Sequence, residues 1–472
     1  MLRQLEELEA IARRLEPTAA QRSAIQNQAF EYTGQFIESL AQKPGYTQAD
    51  CPDLSALEVA ELGKPFEELL SLLRDEVNHA GINPASGYHL GYIPGGGLWA
   101  SAVGDMLAAA TNRYAGIFYA SPGAVMIENQ MIRWLCSLVG YPATAHGNLT
   151  SGGSIANLIA VQAARDARGI CSGNVRQAVI YFTAQVHHCV HKALRITGLH
   201  EAVQRIIPMN ERYQMDTAAL EEAMKKDMEA GLTPFMVIAS AGTTDTGAVD
   251  PLDAVAGLCG QYGAWFHIDA AYGGFFILLE EYREKFRGIE RADSVVLDPH
   301  KGLFLPYGSG AVLLKDAQKL IAANTQHAAY MQDAYGLDEI SPADCGPELS
   351  RHFRGLRMWL PLHLHGVEPF RAALREKVLL CRYFHEEIRK MGFETGPEPE
   401  LSVTMFRYPA NDPEAFNRKL IDALHADGRV FFSSTLVDGR FWIRCAVGSF
   451  RTHLAEIRKA LGMIGECMEG VI

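Results

Sequence analysis

The stretch that decides the fold is "ADSVVLDPHKGLFLPYGSGAV", residues 292–312. It begins with a short apolar run closed by an aspartate and a proline, which is the pattern of a buried strand that ends in a turn. His300 and Lys301 follow at once, and a nearly uncharged run comes after them. Lysine is rarely buried without a partner. Lys301 therefore either lies on the surface of an apolar loop or serves a chemical purpose.

Apolar runs of the same kind precede this stretch and alternate with helical patterns. The runs are "QAVIYFT" at 177–183, "FMVIASAGTTDTG" at 235–247 and "AWFHIDAAYGG" at 264–274. Apolar residues recur with the period of a helix at 154–168, 187–198, 217–229 and 251–262. The alternation predicts an α/β fold in which a mostly parallel sheet is covered by helices on both faces.

The character of the sequence divides the chain into three parts. Residues 1–84 show helix-period apolar spacing and few residues suited to chemistry, and residues 85–375 hold the alternating pattern. Residues 376–472 combine helical sequence with short strand-like segments. We therefore expect a helical N-terminal segment, a large domain and a small C-terminal α+β domain.

The composition is that of an ordinary globular protein and narrows the range of partners. The 472 residues are 48% hydrophobic and 21% charged, with a net charge of -12. This charge gives no basic footprint for nucleic acid or for an anionic membrane. From this charge we expect a small-molecule partner. The first residues lack the apolar core of a signal peptide. Nine scattered cysteines with no CxxC pair and no cluster of cysteine and histidine ligands indicate reduced thiols in the cytoplasm and no metal site.

Polar residues that follow the apolar runs are the candidates for a site, because ligands of open α/β sheets bind at the carboxyl ends of the strands. Gly153 and Ser154 stand in a turn that enters a helix, where backbone amides can hold a phosphate. Asp269 ends an apolar run and would need a cationic or hydrogen-bonding partner if it were buried. Each also has a purely structural reading, as an ordinary helix start or a turn.

Two further candidates are weaker when each is taken alone. His187 precedes a helical pattern and could lie flat on an aromatic ligand, but His188 and His191 are close by and any of the three can be a packing residue. Thr243 and Thr244 follow an apolar run and can either donate a hydrogen bond to a ligand or close a turn.

The combination of candidates indicates one ligand. A lysine that is desolvated at the end of a strand has a lowered pKa and is suited to forming a Schiff base. Lys301 would supply that amine, Asp269 would face a ring nitrogen, and His187 would face the ring. With the phosphate turn before them, these residues describe a site for pyridoxal 5'-phosphate, which acts as an electron sink.

The chain resembles the group II pyridoxal-phosphate-dependent decarboxylases, which include aromatic L-amino-acid, histidine and glutamate decarboxylases. The resemblance is carried by "HIDAAYGG" at 267–274 with "DPHK" at 298–301, by "GYIPGGGLWASAVGDML" at 91–107, by "SPGAVMIEN" at 121–129 and by "FRGLRMWLPLHLHG" at 353–366. "FWIRCAVGSFRT" at 441–452 is similar to the end of the family's chains. The resemblance implies pyridoxal-phosphate fold type I, as in aspartate aminotransferase, and a homodimer with active sites at the subunit interface.

The resemblance also implies an activity and a set of cofactor contacts. The activity is decarboxylation of an L-amino acid, with an aromatic or imidazole side chain favoured, to the amine and carbon dioxide. The implied contacts are Gly153, Ser154, His187, Thr244, Asp269, Ala271, Asp298, His300 and Lys301. Lys301 would hold the cofactor covalently, Asp269 would pair with the ring nitrogen and His187 would stack on the ring. The aromatic and glutamate enzymes usually have asparagine in place of Asp298, and a carboxylate beside a phosphate is electrostatically unfavourable.

Substrate contacts are implied more loosely. They are Tyr92, Ile93, Pro94, Gly95, Tyr114, Gly116 and Ser350, partly from the neighbouring subunit. Ile93, Gly95 and Gly116 stand where aromatic-acid enzymes have bulkier groups, whereas Tyr92 and Tyr114 keep an aromatic surface. A serine at the position of Ser350 is typical of histidine-specific members.

A loop tyrosine completes the implied catalytic set. Tyr330 in "HAAYMQD" stands 29 residues beyond Lys301, where the tyrosine that supports protonation of the α-carbon falls in animal aromatic enzymes. Its other reading is a packed loop aromatic. Three further functions stay open: an aldehyde synthase on the same scaffold, a relative of the sphingoid-phosphate lyases, and a catalytically silent protein that only binds pyridoxal phosphate.

Overall fold

The computed structural model describes residues 1–48, 54–325 and 339–471. Its helices are α1 Leu2–Ala12, α2 Ala19–Glu38, α3 Phe66–Leu72, α4 Trp99–Thr111, α5 Pro122–Leu138, α6 Gly153–Ala167, α7 His188–Ile196, α8 Thr217–Glu229, α9 Leu252–Tyr262, α10 Pro299–Gly302, α11 Ala317–Asn324, α12 Arg354–His365, α13 Glu368–Lys390, α14 Pro413–Asp427 and α15 Leu454–Val471. Its strands are β1 Tyr46–Thr47, β2 Gly81–Ile82, β3 His146–Thr150, β4 Ala178–Thr183, β5 Val203–Ile207, β6 Thr233–Ser240, β7 Trp265–Asp269, β8 Ser294–Leu297, β9 Gly310–Leu314, β10 Glu394–Thr395, β11 Val403–Arg407, β12 Ser433–Val437 and β13 Arg440–Ala446.

A seven-stranded sheet forms the centre of the large domain, in the order β3-β9-β8-β7-β6-β4-β5. Neighbouring strands from β8 to β5 in this order are parallel, and β9 runs antiparallel to both β8 and β3. The predicted mostly parallel α/β sheet is confirmed. The carboxyl ends of β3, β4, β6, β7 and β8 therefore meet at the same edge of the sheet.

The inner strands β4, β6, β8 and β9 are almost entirely apolar because both of their faces are buried. Val179 and Tyr181 of β4 pack into the core on one face, and Ile180 and Phe182 pack into the core on the other. The four predicted helical patterns correspond to α6, α7, α8 and α9. These helices follow β3, β4, β5 and β6, as expected for crossover connections between strands.

The C-terminal part of the chain forms a second, antiparallel sheet in the order β10-β11-β13-β12. The long helix α13 joins this part to the large domain. Leu374 in its first half packs into the core of the large domain, whereas Phe384 and Ile388 in its second half pack into the core of the small one. The predicted division at 375/376 lies within α13, and the three-part domain division stays a prediction.

The N-terminal helices carry apolar side chains that nothing in the described chain covers. Leu5, Leu8 and Ile11 recur on one side of α1 and are 54–57% exposed. Neither α1 nor α2 has a buried residue. Among the helices of the described ranges, none is long and apolar enough to cross a membrane.

Candidate active site

The turn after β8 places Lys301 against a carboxylate. Asp298 precedes Pro299, and a residue before proline is kept out of the helical region, so α10 begins only at the proline. The Asp298 carbonyl accepts a hydrogen bond from the backbone N–H of Lys301. Side chains three residues apart meet on one face of a helix. The Lys301 Nζ lies 2.9 Å from the Asp298 Oδ2, with the side chains 22% and 2% exposed.

Side chains at the carboxyl edge of the sheet surround a cavity of about 350 Å³. This volume falls within the range of small-ligand sites. The lining includes all nine predicted cofactor contacts: Gly153, Ser154, His187, Thr244, Asp269, Ala271, Asp298, His300 and Lys301. Segments from more than 140 residues of chain thus converge on one cavity. The roles of these residues stay predictions.

The structure distinguishes between the three neighbouring histidines. His187 lines the cavity at the start of α7, and its Nδ1 accepts a hydrogen bond from the Cys189 backbone N–H at 3.3 Å. Burial lowers the pKa of His187, so its neutral form is favoured, with the proton on Nε2. His188 packs its ring against His187 at 4.1 Å, and His191 packs edge-on against Phe182 at 5.4 Å.

The pKa of Lys301 differs from the prediction made from the sequence. Burial by itself lowers its pKa, but the charge and hydrogen bond of Asp298, together with the charge of Asp269, outweigh burial. The pKa of Lys301 therefore lies above its ordinary value, and the predicted lowering is wrong for the lysine in this structure. The sequence argument counted desolvation and left out the carboxylate three residues before the lysine.

The unusual carboxylate at position 298 thus has a defined partner. Its Oδ2 contacts Lys301, while its buried Oδ1 has no hydrogen-bond partner in the described part of the chain. A Cβ placed on Gly153 would lie 2.9 Å from the same Oδ2 and 3.3 Å from the Ala271 Cβ. Asp298 therefore borders the turn predicted to hold a phosphate, and a side chain at position 153 would intrude on that contact.

Asp269 lies at the end of β7 with both carboxylate oxygens engaged by N–H donors. Its Oδ1 accepts from the Ala271 backbone N–H at 3.1 Å, and its Oδ2 accepts from the Asn157 Nδ2 at 3.3 Å. Asn157 also donates to the Gly153 carbonyl at 2.9 Å. The sequence analysis missed Asn157, although its position four residues after Gly153 places it on the same face of α6.

Pyridoxal 5'-phosphate fits this arrangement at three points. Among the described residues, no side chain caps the N-terminus of α6, so the amides of Gly153 and Ser154 can receive an anionic group there. Asp269 offers a carboxylate to a protonated ring nitrogen. Lys301 supplies the amine. The three groups of the cofactor that bind proteins most strongly thus each have a chemically matched partner in one cavity.

An aromatic pair stands at the rim of the cavity. The His300 Nδ1 donates to the Ser309 carbonyl, and its ring contacts that of Tyr307 edge-on at 5.7 Å. Burial lowers the pKa of His300, which favours the neutral ring. Tyr307 also lines the cavity and is 57% exposed. The sequence analysis did not single out Tyr307, and its exposed ring is available for stacking on a ligand.

Arg444 links the small domain to the cavity. Its buried guanidinium donates to the Thr244 carbonyl and, at 2.8 Å, to the Ser433 Oγ. Ser433 also accepts the backbone N–H of Tyr92 at 3.3 Å. The sequence analysis missed this role because Thr244 lies 200 positions from Arg444 along the chain.

The predicted substrate contacts are only partly brought together. Ile93 and Pro94 line a small space that Lys301 also borders. A Cβ on Gly95 would overlap the His300 carbonyl oxygen, and one on Gly116 would overlap the Leu349 carbonyl oxygen. These two glycines therefore permit close backbone packing, and their contact with a substrate stays a prediction.

The other predicted substrate contacts lie apart from the cavity. Tyr92, Tyr114, Gly116 and Ser350 are absent from the described lining of the cavity that Lys301 and Asp269 share. Tyr330 lies outside the described residues.

Comparison with known proteins gives likenesses over most of the chain. The family model of the pyridoxal-dependent decarboxylase conserved domain matches residues 52–409. An aromatic-L-amino-acid decarboxylase of Bacillus atrophaeus is 34% identical over 423 residues, which cover 88% of each chain. A phenylacetaldehyde synthase of Arabidopsis thaliana is 28% identical over 442 residues, which cover 90% of this chain and 89% of that one. The crystal structure of Oryza sativa TDC with PLP and tryptamine matches with a TM-score of 0.90 at 27% identity, covering 96% of this chain and 98% of that one.

The fold and these likenesses define a pyridoxal-phosphate enzyme of fold type I. The chain belongs to the pyridoxal-dependent decarboxylase family. It is therefore a lyase that acts on amino acids with pyridoxal 5'-phosphate as its cofactor. The predicted family, fold class, enzyme class and cofactor are confirmed.

We expect Asp298→Asn to speed the covalent capture of pyridoxal by Lys301 in the apoenzyme. The neutral amine is the nucleophile, and loss of the carboxylate removes the main cause that raises the pKa of Lys301. The neutral fraction at pH 7 then grows about tenfold for each pKa unit lost. The measurement is the rate of the absorbance change against pH, and the half-maximal rate should shift to lower pH. Pyridoxal is the probe because it carries no phosphate for Asp298 to repel, and an unchanged pH profile would contradict this pairing.

Proposed function

We propose that the protein converts an aromatic L-amino acid into the corresponding amine and carbon dioxide. The observation that carries the proposal is the cavity that Lys301, Asp269 and the N-terminus of α6 line together. In the described lining of this cavity, Lys301 is the only lysine or arginine. A substrate with a second carboxylate would need another cation, so the lining favours an uncharged side chain. The exposed ring of Tyr307 offers an aromatic surface at the rim.

Residues that line the cavity have separate roles in the proposed reaction. Pyridoxal phosphate supplies an electron sink for the electrons left when carbon dioxide departs. Lys301 holds the cofactor covalently, and the amides of Gly153 and Ser154 bind its phosphate. The Asp269 carboxylate holds a proton on the ring nitrogen, which strengthens the sink. His187 is neutral, carries its proton on Nε2 and would lie against the ring of the cofactor.

A panel of L-amino acids tests the proposed substrate class. The purified holoenzyme is incubated with tryptophan, tyrosine, phenylalanine, histidine and glutamate, and released carbon dioxide and amine are both measured. We expect the largest kcat/KM for one of the three carbocyclic or indole substrates. A preference for glutamate would contradict the uncharged side-chain site, and a preference for histidine would move the proposal to the imidazole class that Ser350 suggests.

An aldehyde synthase is the second candidate function. A phenylacetaldehyde synthase of Arabidopsis thaliana is 28% identical over 442 residues, so a relative of this kind is part of the same family. The stoichiometry of products separates the two functions, because a decarboxylase releases the amine and a synthase releases the aldehyde with ammonia. We propose that this protein releases the amine and not the aldehyde, because the chain has both His187 and Tyr330.

We expect Tyr330→Phe to divert turnover towards aldehyde and ammonia in air. The proposed reason is that the phenol supports protonation of the α-carbon, so its loss leaves that carbon open to oxygen. Amine, aldehyde and hydrogen peroxide are measured in one reaction, and Tyr307→Phe, which removes a phenol from the described lining of the cavity, is the matched control. Clean amine formation by Tyr330→Phe at the wild-type rate would remove Tyr330 from the proposed mechanism.

We propose that the protein is a homodimer with active sites at the subunit interface. The exposed apolar side of α1 supports this, because uncovered apolar surface of this kind favours a partner. Tyr114, Gly116 and Ser350 stay candidate substrate contacts only if the second subunit brings them to the cavity.

We expect the double variant Leu5→Glu/Leu8→Glu to weaken the dimer by at least about tenfold in dissociation constant. The two glutamates would place charge on the apolar side of α1, which a partner would have to desolvate. Mass photometry over a dilution series measures the effect, and Glu6→Gln/Glu9→Gln on the same helix is the control. If the double variant remains dimeric at every protein concentration at which the wild type is dimeric, a role for α1 in the dimer is contradicted.

The proposed location is the cytoplasm. Cys171 is an exposed free thiol, and Cys136, Cys345 and Cys381 are buried free thiols. Exposed thiols persist in reducing compartments, which supports this location.

A further inference from the structure

A chain of buried polar side chains runs from the middle of the central sheet to Asp269. Its members are Trp265 and His267 on β7, Ser294 on β8 and Asn157 on α6, and each is at most 1% exposed. The Trp265 Nε1 lies 2.9 Å from the Ser294 Oγ, and that Oγ lies 2.8 Å from the His267 Nδ1. The His267 Nε2 lies 2.8 Å from the Asn157 Oδ1. We refer to these four residues as the relay.

The direction of every hydrogen bond in the relay follows from the groups at its two ends, the Gly153 carbonyl and the Trp265 N–H. The Gly153 carbonyl can only accept, so the Asn157 amide must present its NH₂ group there and to Asp269. The Asn157 Oδ1 then faces His267, whose Nε2 must carry the proton. His267 is neutral, because burial lowers its pKa to about 4, so its Nδ1 accepts from the Ser294 hydroxyl. Ser294 in turn accepts from the Trp265 N–H, which can only donate.

All four donors therefore point towards the Asp269 carboxylate. Burial of this many polar groups costs free energy unless all are paired, and apolar residues would fill the same space without that cost. The relay excludes the reversed Asn157 amide, which would place an oxygen against both Asp269 and the Gly153 carbonyl. Asn157 also joins Asp269 to the first residue of α6, so it couples the two ends of the proposed cofactor site.

We propose that His267 is a positioning residue that keeps Asn157 oriented as a donor to Asp269 and thereby holds Asp269 as the ionised partner of the cofactor's ring nitrogen. The inference rests on the proposed pairing of Asp269 with that nitrogen. His267 is absent from the described lining of the cavity. It acts on the site through its hydrogen bond to Asn157, which is part of that lining.

The test measures how strongly the apoenzyme prefers the ring nitrogen. Equilibrium binding is compared for pyridoxal phosphate and for the analogue in which a carbon replaces the ring nitrogen. We expect wild type to prefer pyridoxal phosphate by at least about tenfold, since hydrogen bonds to charged groups are worth that much. His267→Leu should lose most of this preference. His267→Gln should keep it, because glutamine can donate towards Asn157 and accept from Ser294.

Two further variants keep the test independent of folding. His385→Leu removes another buried histidine, one that bonds Thr404 in the small domain, and should lower the melting temperature without changing the preference. If His267→Leu does not fold, His267→Phe replaces it, because a phenyl ring keeps the planar shape of the side chain and cannot donate a hydrogen bond to Asn157.

The possible results of this test distinguish the positioning role of His267 from the proposed pairing of Asp269 with the ring nitrogen. A preference that survives in folded His267→Leu, or in His267→Phe where that variant replaces it, overturns the role of His267. A wild-type protein that binds both compounds equally overturns the pairing of Asp269 with the ring nitrogen, and the relay with it. Loss in His267→Leu with retention in His267→Gln supports both.

Discussion

Lys301→Ala should lower kcat by about 10⁴-fold, because the variant loses both the amine that holds the cofactor and the only described lysine or arginine of the cavity lining. The substitution also leaves the buried Asp298 carboxylate without its 2.9 Å partner. A buried unpaired carboxylate is costly, so the melting temperature should fall as well. Steady-state release of carbon dioxide and thermal unfolding of the purified variant measure the two effects.

Lys301→Arg separates the chemical role of this lysine from its charge. The guanidinium keeps a cation beside Asp298, so this variant should unfold closer to the wild-type temperature than Lys301→Ala. It has no amine for a Schiff base, so its activity should be as low as that of Lys301→Ala. Substantial activity in Lys301→Arg would show that Lys301 serves only as the charge partner of Asp298.

Asp269→Asn should lower kcat/KM by about 10²–10³-fold, the range expected when one partner of a buried charge pair is removed. Asparagine keeps the size of the side chain but not the charge that would hold a proton on the ring nitrogen. Its amide would also meet the NH₂ group of Asn157, which now lies 3.3 Å from the Asp269 Oδ2. Turnover and equilibrium affinity for pyridoxal phosphate measure the loss.

A buried aspartate outside the cavity provides the control for Asp269. Asp250 accepts hydrogen bonds from the backbone N–H groups of Ser240 and Met215 at 2.7 Å each. Asp250→Asn should therefore destabilise the fold, and the folded fraction should bind the cofactor with wild-type affinity. Equal losses of affinity in the two variants would mean that Asp269 acts through the fold and not through the ring nitrogen.

The sequence predicted the central architecture because its signals there are strong and local. The apolar runs around 177–183 and 264–274 predicted β4 and β7, since strands buried on both faces are mostly apolar. The grouping of Asp269 with Lys301 followed from topology, because parallel strands bring their carboxyl ends to one edge.

The sequence could not predict contacts that depend on packing between distant segments. Nothing in the sequence around Asn157 reveals that His267 lies 2.8 Å away, and the raised pKa of Lys301 requires the position of the Asp298 carboxylate. The close approach of Gly95 to the His300 carbonyl and of Gly116 to the Leu349 carbonyl likewise depends on segments that are distant in the sequence.

The central claim is that the cavity at the carboxyl edge of the sheet holds pyridoxal phosphate on Lys301. Borohydride reduction of the holoenzyme, followed by proteolysis and mass spectrometry, fixes the cofactor to the lysine that carries it. Lys377 is the informative competitor, because it is buried, donates to the Thr452 carbonyl and borders the same small space as Lys301. We predict the reduced pyridoxyl group on the peptide that contains Lys301 and on no other. A label on Lys377, or on any lysine outside the cavity, would contradict the account.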